Sequence, residues 1–160
     1  MEALKQGETG IKLITDSNLH PTPFYGAKLS AETLDKEISQ ISKSDKFTIL
    51  EQMLIWAMHP IIEAHRQEIN EKTAFVLSTT KGNVDVLSGN SAFDKERAYL
   101  WKLGEIITDA FQLKSKPIIV SNACVSGGLA VLTAKRLIQS GGYDNAIVVA
   151  GDILSQFTLS

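Results

Sequence analysis

The chain has 160 residues, 44% hydrophobic and 21% charged, with 16 Lys+Arg against 18 Asp+Glu for a net charge of −2. This balance gives no basic footprint for nucleic acid or an anionic membrane, and no apolar run of about 18 residues is present to cross a bilayer. One cysteine excludes an internal disulfide and a Cys-rich metal or iron–sulfur site, and Met1-Glu2-Ala3-Leu4-Lys5 lacks the basic-then-apolar order of a signal peptide, so a soluble, cytoplasmic globular unit is expected.

Gly7, Gly10, Pro21, Pro23 and Gly26 punctuate the first 45 or so residues, which therefore read mostly as loop. Ile11-Lys12-Leu13-Ile14 is a short extended piece, and Ser30 followed by Thr33-Leu34 can cap a short helix. From Ser44, residues Phe47, Leu50, Leu54, Met58, Ile61, Ile62, His65 and Ile69 recur at three- and four-residue steps, one face of a helix. Ser44 or Asp45 suits its N-cap, and Pro60 removes a backbone donor and should kink it. Thr73–Leu77 is an apolar run without alternation, a strand covered on both faces, and Ser78–Gly82 is a polar turn at its carboxyl end.

A second helix is predicted over Asp94–Leu113, with Leu100, Leu103, Ile106, Ile107, Ala110 and Phe111 as its apolar stripe. The run Asp94-Lys95-Glu96-Arg97 reads as its solvated first turn. Pro117–Val120 is another buried strand, and residues 121–128 turn from it into a helix over Leu129–Ser140. That helix is apolar around most of its circumference at its start, hence buried, and Gly141-Gly142 ends it. Asn145–Gly151 is a third two-sided strand. Strands alternating with helices imply crossover connections and a mostly parallel sheet covered on both faces.

Cys124 lies where the second buried strand hands over to the helix. Free amides of a first helical turn and the helix dipole would favour a thiolate, and the Cys124 amide could donate to an oxyanion. Small neighbours (Ala123, Ser126, Gly127, Gly128) would let a substrate approach the sulfur, in the logic of a nucleophile elbow. A buried, inert cysteine is the plain alternative. A thiol nucleophile usually needs a proton-handling partner, and none is evident. His20 reads as solvated, His65 as a core histidine, and His59 and His65, six residues apart, do not form a metal pair. Thr79–Gly82 lacks phosphate-loop spacing and reads as a plain turn lining a pocket. Asp144 belongs to the turn into the last strand, and Asp152 could either fix local backbone or serve a site.

Ser121-Asn122-Ala123-Cys124-Val125-Ser126-Gly127-Gly128, the helix ending in Gly141-Gly142-Tyr143-Asp144, and Asn145–Asp152 with Ser155 together resemble the nucleophile region of β-ketoacyl-[acyl carrier protein] synthases, members of the thiolase fold. Leu4–Ile11 resembles an early segment of that family, and Phe75–Gly82 its second strand and turn. The resemblance implies an α/β thiolase-like fold, with residues 1–160 a partial N-terminal half lacking the family's first strand and its C-terminal half. That first strand would be central, leaving its neighbours here without their usual partner.

The resemblance further implies that Cys124 accepts an acyl group from a thioester for decarboxylative condensation with a malonyl carrier thioester, in fatty acid or polyketide-like synthesis. The Cys124 backbone N–H would be an oxyanion donor, and Thr80, Ala123 and Ser126 are candidates for lining the acyl pocket. Asn122 stands where the family commonly has Thr, a difference that bears on substrate preference. The implied partners are acyl carrier protein, bearing substrates on its phosphopantetheine arm, and a second subunit paired through strand Ile118–Val120. No cofactor and no metal is implied. The family's two histidines and lysine belong to its second half, so the chain by itself is expected to lack condensing activity. Two other readings stand beside this one: a non-catalytic partner of chain-length-factor type, and an unrelated α/β binding module with an incidental thiol. The lack of a Gly-x-Gly-x-x-Gly turn argues against the module.

Overall fold

The computed structural model describes residues 5–41, 44–89 and 91–159. Leu4, which opens the early family-like segment, lies outside them together with the rest of the Met1–Leu4 start. Strand β1 (Ile11–Ile14) pairs antiparallel with β2 (Phe24–Ala27), with Ile11 opposite Ala27. The region read as mostly loop thus contains a two-stranded ribbon. Gly26 concealed the second strand, yet it is there for a steric reason. A Cβ at this position would come within 3.0 Å of Leu154 and 3.2 Å of Ile14. Helix α1 (Ala31–Ser39) begins as expected, with the Thr33 amide donating to the Ser30 hydroxyl at 3.1 Å.

Helix α2 runs from Ile49 to His65 and continues through Pro60. Its N-cap is Thr48, not Ser44 or Asp45; Ser44–Lys46 form a separate 3-10 turn. The Glu51 amide donates to Thr48 Oγ1 at 3.2 Å, and the Thr48 amide donates to Glu51 Oε2 at 2.9 Å. This reciprocal box satisfies two amides that a helix start otherwise leaves open, so it fixes the boundary. Leu50, Leu54, Ile55, Met58 and Ile62 are buried, whereas Ile61 is exposed. His65 is no core histidine: it ends the helix, half-exposed, and faces Glu68 at 3.2 Å.

Strands β3 (Thr73–Ser78), β4 (Pro117–Val120) and β5 (Asn145–Ala150) form an all-parallel sheet in the order β4-β3-β5. Every residue of β3 is buried, as its unalternating apolar run predicts. Successive side chains point to opposite faces. Phe75, Leu77, Ile147 and Val149 join α1, α2 and α3 (Leu100–Phe111) in the larger core. Val76, Val120, Ala146 and Val148 meet α4 (Ser126–Gln139) on the other face. The sheet is continuous, with Val76 opposite both Ile118 and Val148, so β3 is paired on both sides by strands of this chain.

Two further corrections concern helices. Residues Lys95–Ala98 form a 3-10 turn capped by Asp94, Tyr99 is extended, and α3 starts only at Leu100. Arg97 is not a solvated residue but an ion-pair partner of buried Glu51. Helix α4 buries Ser126, Ala130 and Ala134, while Val131, Leu132 and Ile138 are exposed, so it is covered on one side and not all round. A four-residue helix, α5 (Gln156–Leu159), follows β5. Among the described residues, no helix is long and apolar enough to cross a membrane.

Candidate functional site

The carboxyl ends of the three parallel strands carry the turns that hold every sequence-derived site residue. After β4, Ser121 and Asn122 lead into a 3-10 turn, Ala123–Val125, which passes directly into α4. Cys124 is in this turn, two residues before α4, and is exposed, not buried as the plain alternative expected. The bend itself is made by Ala123, whose φ of 45° is left-handed and costly for a residue with a Cβ.

What holds the bend is Ser126. Its hydroxyl donates to the Ala123 carbonyl at 2.7 Å and accepts from the Asn122 amide at 2.8 Å. The Val125 amide closes on the Asn122 carbonyl at 3.2 Å, and the Cys124 amide has no acceptor among the described residues. An exposed sulfur and an unengaged amide thus stand together on one residue. At Gly127 an added Cβ would meet only Ala150, at 3.8 Å, and at Gly128 nothing within 4 Å. The space above these glycines is therefore not filled by the chain's own backbone.

Thr80 sits across from this turn, after β3. Its hydroxyl and amide both donate to Asp152, the residue that follows Gly151 at the end of β5, with the amide 2.9 Å from Oδ1. Thr79 Oγ1 donates to Asp152 Oδ1 at 2.7 Å, and the Lys81 amide reaches the same oxygen at 3.2 Å. Asp152 therefore fixes backbone, one of the two roles open to it in the sequence. Thr80 meets the cysteine turn through its carbonyl, which accepts from Ser121 Oγ at 3.4 Å. The structure thus places Thr80, Ala123, Cys124 and Ser126 on adjoining turns.

Burial pushes the Asp152 carboxyl up, but hydrogen bonds from the Thr80 and Thr79 hydroxyls and the Thr80 and Lys81 amides outweigh it and hold the carboxyl below its ordinary value. A group depressed in the folded state stabilises the fold above its unfolded pKa, and that contribution disappears as pH falls through the folded value. Thermal melts should therefore show a constant advantage of the natural chain over Asp152→Asn above about pH 5. The advantage should shrink once the pH drops below 3.8, the ordinary value for aspartate. A gap that persisted unchanged into strong acid would contradict the assignment.

The histidines lie elsewhere. His20 is half-buried in the β1–β2 loop, with Nδ1 at 2.9 Å from Thr22 Oγ1 and its ring edge-on to Phe24, so it is not simply solvated. His59 and His65 are on α2. None is hydrogen-bonded to residues 121–126 among the described residues. Asp144 opens β5 by donating its amide to the Lys72 carbonyl at 2.9 Å.

Two apolar clefts lie away from the thiol. One of about 390 Å³ runs between Leu29, Leu34, Ile49, Met53 and Leu154. A second, of about 710 Å³, is lined by Leu19, Ile49, Leu87, Leu154 and Phe157, with Asp85 in its wall. Burial raises the Asp85 carboxyl above its ordinary value. Residues 121–126 line neither cleft.

A missed feature is the buried cluster joining α2 to the turn after β3. Asn83 Nδ2 donates to Glu51 Oε1 at 2.9 Å and to the Arg97 carbonyl at 3.1 Å, and Thr48 Oγ1 donates to Asn83 Oδ1 at 2.7 Å. Thr48-x-x-Glu51 was its one legible signal, since that spacing is a capping box.

The fold is similar to that of a chain from the complex of a ketosynthase, ApeO, with its chain length factor, ApeC, from Xenorhabdus doucetiae. The TM-score is 0.68 at 20% identity, over 98% of this chain and 43% of that one. The chain thus spans less than half the length of the protein it matches. The likeness is one of fold, and the expected α/β, thiolase-like architecture with its parallel sheet is the one observed. No family model and no curated protein matches the sequence.

Proposed function

We propose that this chain carries the acyl-accepting turn of a β-ketoacyl synthase-type enzyme, with Cys124 as nucleophile. The observation that carries the reading is an exposed cysteine, with a free amide, on a strained turn at the carboxyl end of a parallel strand. The step is a thioester exchange. Cys124 Sγ forms a C–S bond to the acyl carbonyl carbon, the C–S bond of the donor thioester breaks, and the thiol proton passes to the departing thiol. In the intervening tetrahedral state the Cys124 N–H donates to the oxyanion. The donor would be an acyl group on the phosphopantetheine of acyl carrier protein, and Thr80, Ala123 and Ser126 would flank it. Condensation with a malonyl thioester then needs acid–base groups that the described residues do not bring to this turn. A partner subunit would add along β4, an edge strand whose outer side is unpaired among the described residues.

Incubating the chain with an acyl thioester should add one acyl mass, located at Cys124 by peptide mapping and lost in Cys124→Ala. Acylation that survived Cys124→Ala would overturn the assignment. The second reading, a chain-length-factor-type partner, is favoured by the complex to which the fold is similar, since that complex contains such a chain. It predicts no labelling under conditions in which free cysteine reacts.

A further inference from the structure

We infer that Asp152 is a positioning residue for Cys124, acting through the turn that follows β3. Five hydrogen bonds converge on its carboxylate, from the hydroxyls of Thr79 and Thr80 and the amides of Thr80, bonded to both oxygens, and Lys81. A single acceptor thus locks three consecutive residues, an arrangement that suppresses motion of a loop far better than one bond would. The locked segment is tied in turn to the cysteine strand at two points. The Thr79 amide donates to the Val120 carbonyl at 3.3 Å, and Ser121 Oγ donates to the Thr80 carbonyl at 3.4 Å. From Ser121 the chain has only Asn122 and Ala123 to traverse before Cys124. Ala123 is held at its unfavourable φ of 45° by the bonds around Ser126, so the bend depends on well-placed ends. On the other side, the Gly151 amide donates to the Ser78 carbonyl at 3.1 Å, which fixes Asp152 relative to β3. The ends of all three strands are thus linked, with Asp152 holding the turn after β3 and that turn bonded to β4.

The inference deepens the reading of Cys124 as acyl acceptor and rests on it for its functional meaning. Its test uses simple alkylation of the thiol instead of acyl transfer, so the two can fail separately. The second-order rate constant for iodoacetamide with Cys124 is measured at one neutral pH. With the bracing removed, the turn that presents the sulfur loses its fixed geometry, and Asp152→Ala should react about fivefold more slowly. Ser121→Ala, which removes the side-chain tie to the Thr80 carbonyl and leaves both the carboxylate and the Thr79–Val120 tie in place, should slow the reaction in the same direction. The double variant should be no slower than the slower single one, because both act on one path. Asp152→Glu, keeping the acceptor, should restore about half or more of the rate. Glu63→Gln, which breaks an exposed ion pair with Arg66 near the C-terminal end of α2, should leave the rate unchanged. Rates for Asp152→Ala and Ser121→Ala within twofold of the natural chain, or additive losses in the double variant, would overturn the inference. Should Asp152→Ala fail to fold, Thr80→Val takes its place, since it removes one clamp bond at nearly constant side-chain volume and should slow the reaction in the same direction. If Thr80→Val and Ser121→Ala both react at the natural rate, the inference is again refuted.

Discussion

Arg97→Ala should destabilise the protein by about 3–5 kcal/mol in urea unfolding, a large share of the roughly 5–15 kcal/mol that holds an ordinary domain together. Arg97 is the cation facing Glu51, whose side chain is fully buried, and it also donates to the Lys46 carbonyl at 3.1 Å and lies over the Phe93 ring at 5.0 Å. Removing it leaves a carboxylate in the interior with only the Thr48 amide and Asn83 to offset the lost hydration. The converse change is milder. Glu51→Gln keeps an acceptor for Thr48 and leaves an arginine whose side chain is 24% exposed and able to reach water. The order of the two losses is the diagnostic result. Equal costs would mean that the guanidinium contributes packing alone and not charge compensation.

Phe75→Ala should cost a comparable amount, about 3–5 kcal/mol. Phe75 is fully buried at the middle of the central strand, on the face where the sheet meets α1, α2 and α3. Leu54, Met58, Leu103 and Ile107 of the same core are themselves buried, so the loss of transfer free energy is joined by the loss of contacts around a cavity. Val76→Ala, one position on and facing α4, removes far less volume and should cost much less. A Phe75→Ala penalty below about 1 kcal/mol would show that the larger core closes over the hole.

The three parallel strands were legible from their apolar runs, although only β3 is buried throughout; β4 and β5, each paired on one side, are mostly half-buried, contrary to the expectation of two-sided burial. Cys124 stood out for a related reason, as the one reactive atom between a buried strand and a helix. The ribbon strand β2 was hidden by Gly26, whose place in a strand follows from the closeness of Leu154, a residue far along the chain. Arg97 read as solvated because polarity alone cannot reveal a buried partner on another element. Likewise the stripe through His65 and Ile69 followed helical spacing past the true end of α2. Asp152 stayed ambiguous until the fold brought β5 beside β3 and set five donors around it.

The central place of β3 also governs how the chain must acquire its fold. Val76 finds its neighbours at Ile118 and Val148, so no pairing in this sheet can form from adjacent sequence. Each requires closure of a long loop before any ladder bond compensates it, which makes assembly of the sheet slow compared with a helical domain of similar size. During synthesis β3 emerges well before either partner, an apolar ribbon with both edges open. Its shelter in that interval falls to the already-made helices α1 and α2, whose buried faces share a core with Phe75 and Leu77. Conditions that slow the appearance of residues 117–150 should therefore favour association between nascent chains over folding within one.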